Sequence, residues 1–248
     1  MVEINNNLKI KFLQQNDGTN LADEEFRLRA IAESYATCEN SIAVLNNLRT
    51  AKCYIHFGGN SKFFDFKPVG YSMVVDSVWE EIIFEKIHPA DLRKSNLQEL
   101  SFFRMVSASH SKEAFAWHLE TIVRMMDKTE SYRPVKHRIH YFGSFGKAGI
   151  CYALCLYNIT QENYNFAYII NSQTGEKRIL EATPSSILTE QEKRILKMVQ
   201  EGKASKVIAE KLDISKCTVD RHRQNIISKL QVGNTTEAVF KAKQLGII

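Results

Sequence analysis

The chain has 248 residues, of which 44% are hydrophobic and 25% are charged, which is the composition of an ordinary globular protein with one large or two modest domains. No apolar run approaches the roughly 20 residues of a membrane helix, and the start MVEINNNLKIKF lacks the order of a signal peptide. We therefore expect a cytoplasmic protein that has no membrane partner and whose five scattered cysteines are reduced.

The positive charge is confined to one end of the chain. From Pro184 onward there are 12 Lys/Arg and 7 Asp/Glu residues, whereas the preceding part carries as many acidic as basic residues. A basic segment on a neutral body is typical of a module that binds nucleic acid or another anionic surface, but it is also what a solvated face looks like. The residue pattern has to decide between these two interpretations.

Four helices are predicted in the first half of the chain. Apolar residues recur at helical spacing in residues 24–36, 79–87, 91–106 and 112–127. Between the first two, the stretch SIAVLNNLRTAKCYIHFGGNSKFFDF contains β-branched and aromatic residues around Gly58-Gly59-Asn60. This pattern predicts two short strands with their turn at these three residues.

Alternation replaces the helical spacing in the next segment. KHRIHYF and AGICYALCLYNI predict a hairpin with a turn near residues 143–146, whose second strand is buried on both faces. Ile150, Tyr152, Leu154 and Leu156 should share one of those faces. NFAYIINSQTGEKRIL predicts a further strand, a turn at Gly175 and a return segment, and EATPSSI is the candidate linker.

Everything beyond the linker is predicted to be helical. Thr189 followed by Glu192 is a capping box, so a helix should run from Glu190 to about Gln200 and stop at Gly202. Three more helices are predicted at residues 205–212, behind Ser215, and from Thr235 or Thr236 to Gly246.

The second and third of these helices are separated by only LDIS, the short turn of a helix-turn-helix. In this arrangement the solvent face of the later helix can enter the major groove of DNA. Arg221 and Gln224 lie on that face, and their side chains can form paired hydrogen bonds with guanine and adenine, respectively.

Residues 188–248 resemble the LuxR-type helix-turn-helix domain at the C-terminus of many bacterial transcription factors. The matching positions are Leu188-Thr189, Glu192, Leu196, Gly202, Ile208-Ala209, Leu212, Ile214-Ser215, Thr218-Val219, His222, Ile226, Lys229-Leu230, Val232 and Glu237-Ala238-Val239. The resemblance implies that Ser215 to Leu230 is the recognition helix, and that double-stranded DNA is the partner.

The same resemblance assigns roles to side chains. Asp220 stands where the family often has Lys, and its carboxylate could accept from a cytosine amino group, so it joins the base-reading candidates. The candidates for phosphate contacts are Ser205, Lys206, Lys216, Thr218, Arg223 and Lys229. The candidates for pairing with a second copy of the chain are Ala238, Val239, Ala242 and Leu245.

The part before the linker resembles a PAS-like sensor domain, on the segments ENSIAVL, CYIHFGG, IHPADL, HRIHYF and ICYALCLYN. Such a fold implies a cavity between a sheet and its helices, which could hold an unidentified small ligand. The aromatic residues either line this cavity or fill the core; they are Trp79, Phe84, Phe102, Phe103, Trp117, Tyr141 and Tyr152. The residue sets of a phosphoacceptor receiver and of an acyl-homoserine-lactone pocket cannot be placed.

Neither a metal site nor an enzyme site is predicted. Only His137 and His140 lie close together among the candidate histidines, and residues three apart on a strand point to opposite faces. The chain contains no G-x-S-x-G, P-loop, dinucleotide or H-E-x-x-H motif, and no residue indicates a cofactor.

The fold class expected is α+β, with a PAS-like antiparallel sheet and flanking helices followed by an all-α helix-turn-helix domain of four helices. The expected boundaries are 1–36 for an N-terminal segment and helix, 37–182 for the sensor domain, 183–187 for the linker and 188–248 for the DNA-binding domain. The hypothesis is a homodimeric transcription regulator controlled by a small-molecule or protein signal. The alternatives are an interaction adaptor that does not bind DNA, and an enzyme-like domain with a regulatory tail.

Overall fold

Up to residue 182 the described residues form both helices and strands, and beyond it the described elements are helices. The computed structural model describes residues 21–78, 80–109, 112–144, 149–182, 187–230 and 232–248. The helices are α1 Leu21–Cys38, α2 Glu81–Phe84, α3 Pro89–Ala108, α4 Glu190–Gln200, α5 Ser205–Leu212, α6 Lys216–Leu230 and α7 Thr235–Gln244. The strands are β1 Ile42–Asn47, β2 Lys52–Phe57, β3 Ser72–Val75, β4 Trp117–Met126, β5 Tyr132–Ser144, β6 Gly149–Ile159, β7 Ala167–Asn171 and β8 Lys177–Leu180. The predicted cavity residue Trp79 and most of the predicted linker lie outside the described residues.

The eight strands form one antiparallel sheet in the order β3-β2-β1-β6-β5-β4-β7-β8. The sheet is covered on both faces, by α1 on one side and by α2 and α3 on the other. Strand β6 lies inside the sheet and is buried along most of its length on both faces, as its apolar sequence predicted. This sheet with flanking helices, followed by four helices, confirms the predicted α+β fold class.

A register shift between Phe142 and Gly143 changes which side chains of β6 face α1. Tyr152, Leu154 and Leu156 share one face, as predicted, and pack against α1, but Ile150 lies on the opposite face. The prediction that Ile150 shares their face was wrong, because strict alternation does not survive an irregularity in strand pairing.

Two predicted elements need correction. Residues 112–127 do not form a helix: after a short 3₁₀ turn at Lys112–Ala116 they continue as strand β4. The turn between β1 and β2 lies at residues 48–51, whereas Gly58 begins a 3₁₀ helix, Gly59–Phe63, beyond β2. A side chain at Gly58 would meet the carbonyl oxygens of Ala36 and Ser41 at 2.1 and 2.3 Å, so this glycine permits close backbone packing.

The four C-terminal helices begin and end close to the predicted residues. Thr189 Oγ1 accepts from the Glu192 N–H at 3.3 Å, and Glu192 Oε2 accepts from the Thr189 N–H at 2.8 Å, which confirms the capping box. Asp213 closes α5 with a left-handed φ of 53°, and Asn234 caps α7. Their apolar sides form one core that includes Leu196, Ile208, Val219, Ile226 and Leu230.

Helix α3 joins this core to the sheet. Leu97 and Leu100 are buried in the same apolar cluster as the C-terminal helices. Arg104 Nη1 donates to the Ile187 carbonyl at 3.2 Å, and the charge of Glu99 interacts with that of Lys241 on α7. The two parts of the chain therefore share an interface that combines apolar packing with polar and charged contacts.

Within the described part of the chain, no helix combines the length and the apolar character needed to cross a membrane.

Candidate nucleic-acid interface

Helices α5 and α6 meet in a tight turn that the sequence determines locally. The backbone N–H of Asp213 and that of Ile214 both bond to the Ala209 carbonyl, and Ser215 Oγ accepts from the Thr218 N–H at 3.0 Å to begin α6. Val219, Ile226 and Leu230 then point inward and are fully buried. The opposite side of α6 consequently faces solvent.

That solvent face carries the predicted base-reading residues. Arg221 and Gln224 are exposed, together with Lys216, Cys217 and Ser228. Among the described residues, neither Arg221 nor Gln224 has an ion pair or a side-chain hydrogen bond. Both side chains are therefore free to form the paired hydrogen bonds that recognise base edges.

Asp220 is less free than these two. Its carboxylate lies 3.5 Å from Lys216 Nζ, one turn earlier on the helix. A hydrogen bond with Ser205 and, after it, the charge of Lys216 hold the pKa of Asp220 below its ordinary value although partial burial opposes this. The carboxylate therefore stays ionised and compensates part of the basic charge of the face.

The predicted phosphate contacts divide into two groups. Lys206 and Lys216 are exposed on α5 and α6. Arg223 instead donates to Ser205 Oγ at 2.9 Å and to Thr235 Oγ1 at 3.2 Å, which ties together α5, α6 and α7. An arginine that holds three helices has little freedom to move toward a phosphate.

Lys229 is also engaged within the domain. Its Nζ donates to Glu192 Oε2 at 2.8 Å, the same oxygen that closes the capping box of α4, and the Glu192 side chain is only 3% exposed. Ser205 is buried, and Thr218 Oγ1 lies 2.8 Å from Ser215 Oγ in the turn. These residues fix the geometry of the helix-turn-helix, a role that the sequence analysis did not foresee.

The predicted dimerisation residues on and just after α7 differ in how accessible they are. Ala238, Ala242 and Leu245 are buried inside the chain itself, where they pack in the C-terminal core. Val239 is partly buried, and its neighbour Phe240 is 54% exposed. A second copy of the chain could reach Val239 and Phe240 on this helix but not the three buried residues.

The N-terminal part contains a small pocket between α1 and β2. Its volume is about 180 Å³, and its lining includes Glu33, Asn40, His56 and Tyr71. His56 is buried, its Nδ1 lies 2.8 Å from Ser72 Oγ, and its Nε2 has no partner among the described residues. The volume is below the roughly 300 Å³ of ordinary ligand pockets, so only a very small ligand would fit.

The comparisons with known proteins concern mainly the C-terminal helices. Residues 186–242 match the sequence model of the family described as "Bacterial regulatory proteins, luxR family". The C-terminal helices form a LuxR-type helix-turn-helix domain.

Two curated relatives match this LuxR-type domain. The monoamine regulon transcriptional regulator of Klebsiella aerogenes is 50% identical over 56 residues, which are 23% of this chain and 25% of that protein. The transcriptional regulatory protein DesR of Bacillus subtilis is 41% identical over 66 residues, which are 27% of this chain and 32% of that protein. These two matches span a third or less of the relatives' own lengths, and the family model covers only residues 186–242.

A solved structure, the complex of phage VqmA with DPO, covers 92% of both chains at 12% identity, with a TM-score of 0.34. A likeness at this level leaves the role of the N-terminal sheet to be argued from its own residues.

Proposed function

We propose that this protein is a sequence-specific DNA-binding transcription regulator. Its LuxR-type domain reads DNA, and its PAS-like N-terminal domain senses a signal or dimerises. The observation that carries the proposal is the exposed face of α6, where Arg221 and Gln224 are free while the opposite side is packed. We assign base reading to these two residues and to Asp220, and phosphate contacts chiefly to Lys206 and Lys216. Such a regulator would act in the cytoplasm.

The proposed regulator binds as a homodimer. Two recognition helices then match half-sites about 34–36 Å apart, one helical turn of DNA. A signal in the N-terminal domain would act by changing how the two LuxR-type domains are presented. The interface between α3 and the C-terminal core supports this route, because a shift of α3 would move Leu97 and Leu100 against the core of the DNA-binding helices.

The test is selection of binding sites from a pool of randomised duplex DNA by the full-length protein over a series of salt concentrations. We expect enrichment of a paired, roughly two-fold symmetric site, and affinity that falls steeply as salt rises. The adaptor alternative predicts neither enrichment nor dependence on salt. If neither enrichment nor dependence on salt is observed, the proposal that this chain binds DNA is contradicted.

A further prediction concerns Glu99 at the interface between the two parts. Burial, and after it the nearby Glu80 carboxylate, raise the pKa of Glu99 to about 7 from 4.5, although Lys241 and a hydrogen bond from Tyr141 oppose the shift. A raised pKa means that the folded chain favours the protonated form. The stability that Glu99 contributes is therefore complete below about pH 4.5 and is lost as the pH rises through 7.

Replacing Glu99 by glutamine should remove this loss, because the amide resembles the protonated acid. The unfolding free energy of E99Q minus that of wild type should therefore be about 1–2 kcal/mol larger at pH 8 than at pH 5. Urea unfolding at both pH values measures the change. The exposed Glu85 provides the control, since E85Q makes the same chemical change at a solvent-exposed position. An E99Q curve parallel to that of wild type would show that Glu99 titrates as an ordinary surface acid.

A further inference from the structure

Three metal-ligating side chains meet inside the N-terminal sheet domain. Glu80 precedes α2, His137 lies on β5 and Cys155 lies on β6. One ligand atom of each lies within 4.8 Å of those of the other two, and all three residues are buried. His137 and Cys155 share a sheet face because Tyr157, two residues after Cys155, is the direct partner of His137.

His137 is the unusual member of this group. His137 is 3% exposed, and neither of its ring nitrogens has a hydrogen-bond partner among the described residues. The ring is held flat against Tyr157, with ring centroids 4.3 Å apart and an interplanar angle of 6°. A buried imidazole without partners costs about 1–3 kcal/mol, and a metal ion bound to one of its nitrogens would offset this cost.

Glu80 is oriented toward the same point by two neighbours. Its carboxylate accepts from Tyr157 Oη at 2.9 Å and from Asn46 Nδ2 at 3.1 Å. The Asn46 amide also lies 3.9 Å from Cys155 Sγ, and its Oδ1 has no partner among the described residues. Tyr157 and Asn46 therefore occupy the outer positions that fix the ligands of a metal site.

The chemistry of the group fits a divalent transition-metal ion. Imidazole nitrogen, thiolate sulfur and carboxylate oxygen are the ligands that Zn²⁺ takes, at about 2.0–2.3 Å. One thiolate and one carboxylate carry two negative charges, which a divalent ion neutralises, so the loaded site is buried without net charge. Ligand atoms around a tetrahedral ion with bonds of this length lie roughly 3.3–3.8 Å apart, so movements of about 1 Å would close the site.

We propose that Glu80, His137 and Cys155 bind one divalent transition-metal ion, Zn²⁺ or an ion of similar ligand preference, inside the N-terminal domain. The Asn46 side-chain amide, whose Nδ2 lies 3.1 Å from Glu80 Oε2 and 3.9 Å from Cys155 Sγ, is the nearest candidate to supply a fourth ligand through its oxygen. The proposal of this site does not rest on the proposed DNA-binding function, because its three ligands come from outside the LuxR-type helices.

Cobalt is the probe, because a thiolate bound to Co²⁺ gives a charge-transfer absorption that oxygen and nitrogen ligands do not give. The full-length protein, with the exposed Cys38 and Cys217 replaced by serine, is produced in cobalt-supplemented cells so that the metal enters as the chain folds. Purification uses a tag that does not bind metal. We expect about one metal ion per chain, counted as cobalt plus zinc, and the thiolate absorption.

Cys155→Ser should abolish the thiolate absorption and weaken metal retention by at least the roughly 10–100-fold that the loss of an outer-shell partner costs. Cys151→Ser is the matched control, since Cys151 is equally buried on the same strand but faces α1. Glu80→Gln should keep the thiolate absorption in any metal that remains bound while lowering the metal content.

Metal content well below one ion per chain in the parent protein would overturn the proposal. So would a thiolate absorption that survives Cys155→Ser or disappears in Cys151→Ser. The parent protein decides the question even where a variant fails to fold. Because the readout is bound metal, failure of DNA binding would leave the result unchanged.

Discussion

Replacing Arg221 by alanine should cost about 1–3 kcal/mol of discrimination at one base pair of the operator, which is a loss of roughly 5-fold to 150-fold in relative affinity. The guanidinium is exposed on the solvent face of α6 and has no partner among the described residues, so its removal leaves the fold intact. What is lost is the paired hydrogen bond to one base. Competition between the selected operator and single-base variants of it, with wild-type and R221A protein, measures the change.

Lys206→Ala is the matched control for Arg221→Ala. Lys206 is exposed on α5, the helix that crosses the DNA backbone in this arrangement. Because phosphates carry no sequence information, K206A should lower the affinity for operator DNA and for random DNA by the same factor. It should also reduce the slope of log affinity against log salt concentration by about 1. If R221A also lowers the affinity for operator DNA and for random DNA equally, Arg221 contacts the DNA backbone. The assignment of base reading to Arg221 is then wrong.

The sequence was most informative where structure is determined by neighbouring residues. The capping box of Thr189 and Glu192, the Ser215 cap and the left-handed glycine at Gly202 each act within a few residues, so all four C-terminal helices could be predicted with their ends. The division of α6 into a packed and an exposed side followed from its helical period alone.

Strand β4 shows where periodicity misleads. WHLETIVRMM is apolar at positions that fit either a helix or a strand covered on both faces, and the burial of Leu119, Val123 and Met125 at alternate positions became evident only in the sheet. The β-branched run Thr121-Ile122-Val123 was the available signal for a strand.

Contacts between distant residues could not be predicted. Lys229 and Glu192 are 37 residues apart, and nothing in the sequence indicated that their charges meet. Glu80, His137 and Cys155 come from three separate elements, so a search for metal ligands by sequence spacing considered only His137 with His140. That comparison correctly placed the two histidines on opposite faces and missed the partners that the sheet brings to His137.

The ion pair of Lys229 with Glu192 leads to the second large prediction. Burial would raise the pKa of Glu192, but hydrogen bonds from Lys229 and from the Thr189 N–H outweigh it and hold the pKa below its ordinary value. Lys229→Met keeps the length of the side chain and removes its charge, so a carboxylate that is 3% exposed is left without its cation. Breaking a buried pair costs about 3–5 kcal/mol, and we expect about 2–3 here because the Lys229 side chain is 28% exposed.

The loss of unfolding free energy in K229M should be larger at neutral pH than at acidic pH. A lowered pKa means that Glu192 contributes stability above its ordinary value of 4.5 and that this contribution disappears as the pH falls. K229M should therefore differ most from wild type at pH 7 and least near pH 4. Urea unfolding followed by far-ultraviolet circular dichroism reports on the helices at both pH values. Lys193→Met is the control, because Lys193 pairs at 2.7 Å with a Glu190 side chain that is 80% exposed, and loss of such a solvent-exposed pair should leave the unfolding free energy nearly unchanged.

The same variant separates the two roles of Lys229. If its charge serves the fold, combining Lys229→Met with Glu192→Gln should recover part of the stability, since the uncompensated carboxylate is then gone, and the measured coupling energy should exceed about 0.5 kcal/mol. If its charge instead contacts phosphate, K229M should leave the unfolding free energy unchanged and weaken all DNA sequences alike. The contact of Lys229 with the oxygen that caps α4 favours the first result, because moving this lysine to a phosphate would leave the buried Glu192 carboxylate without its cation.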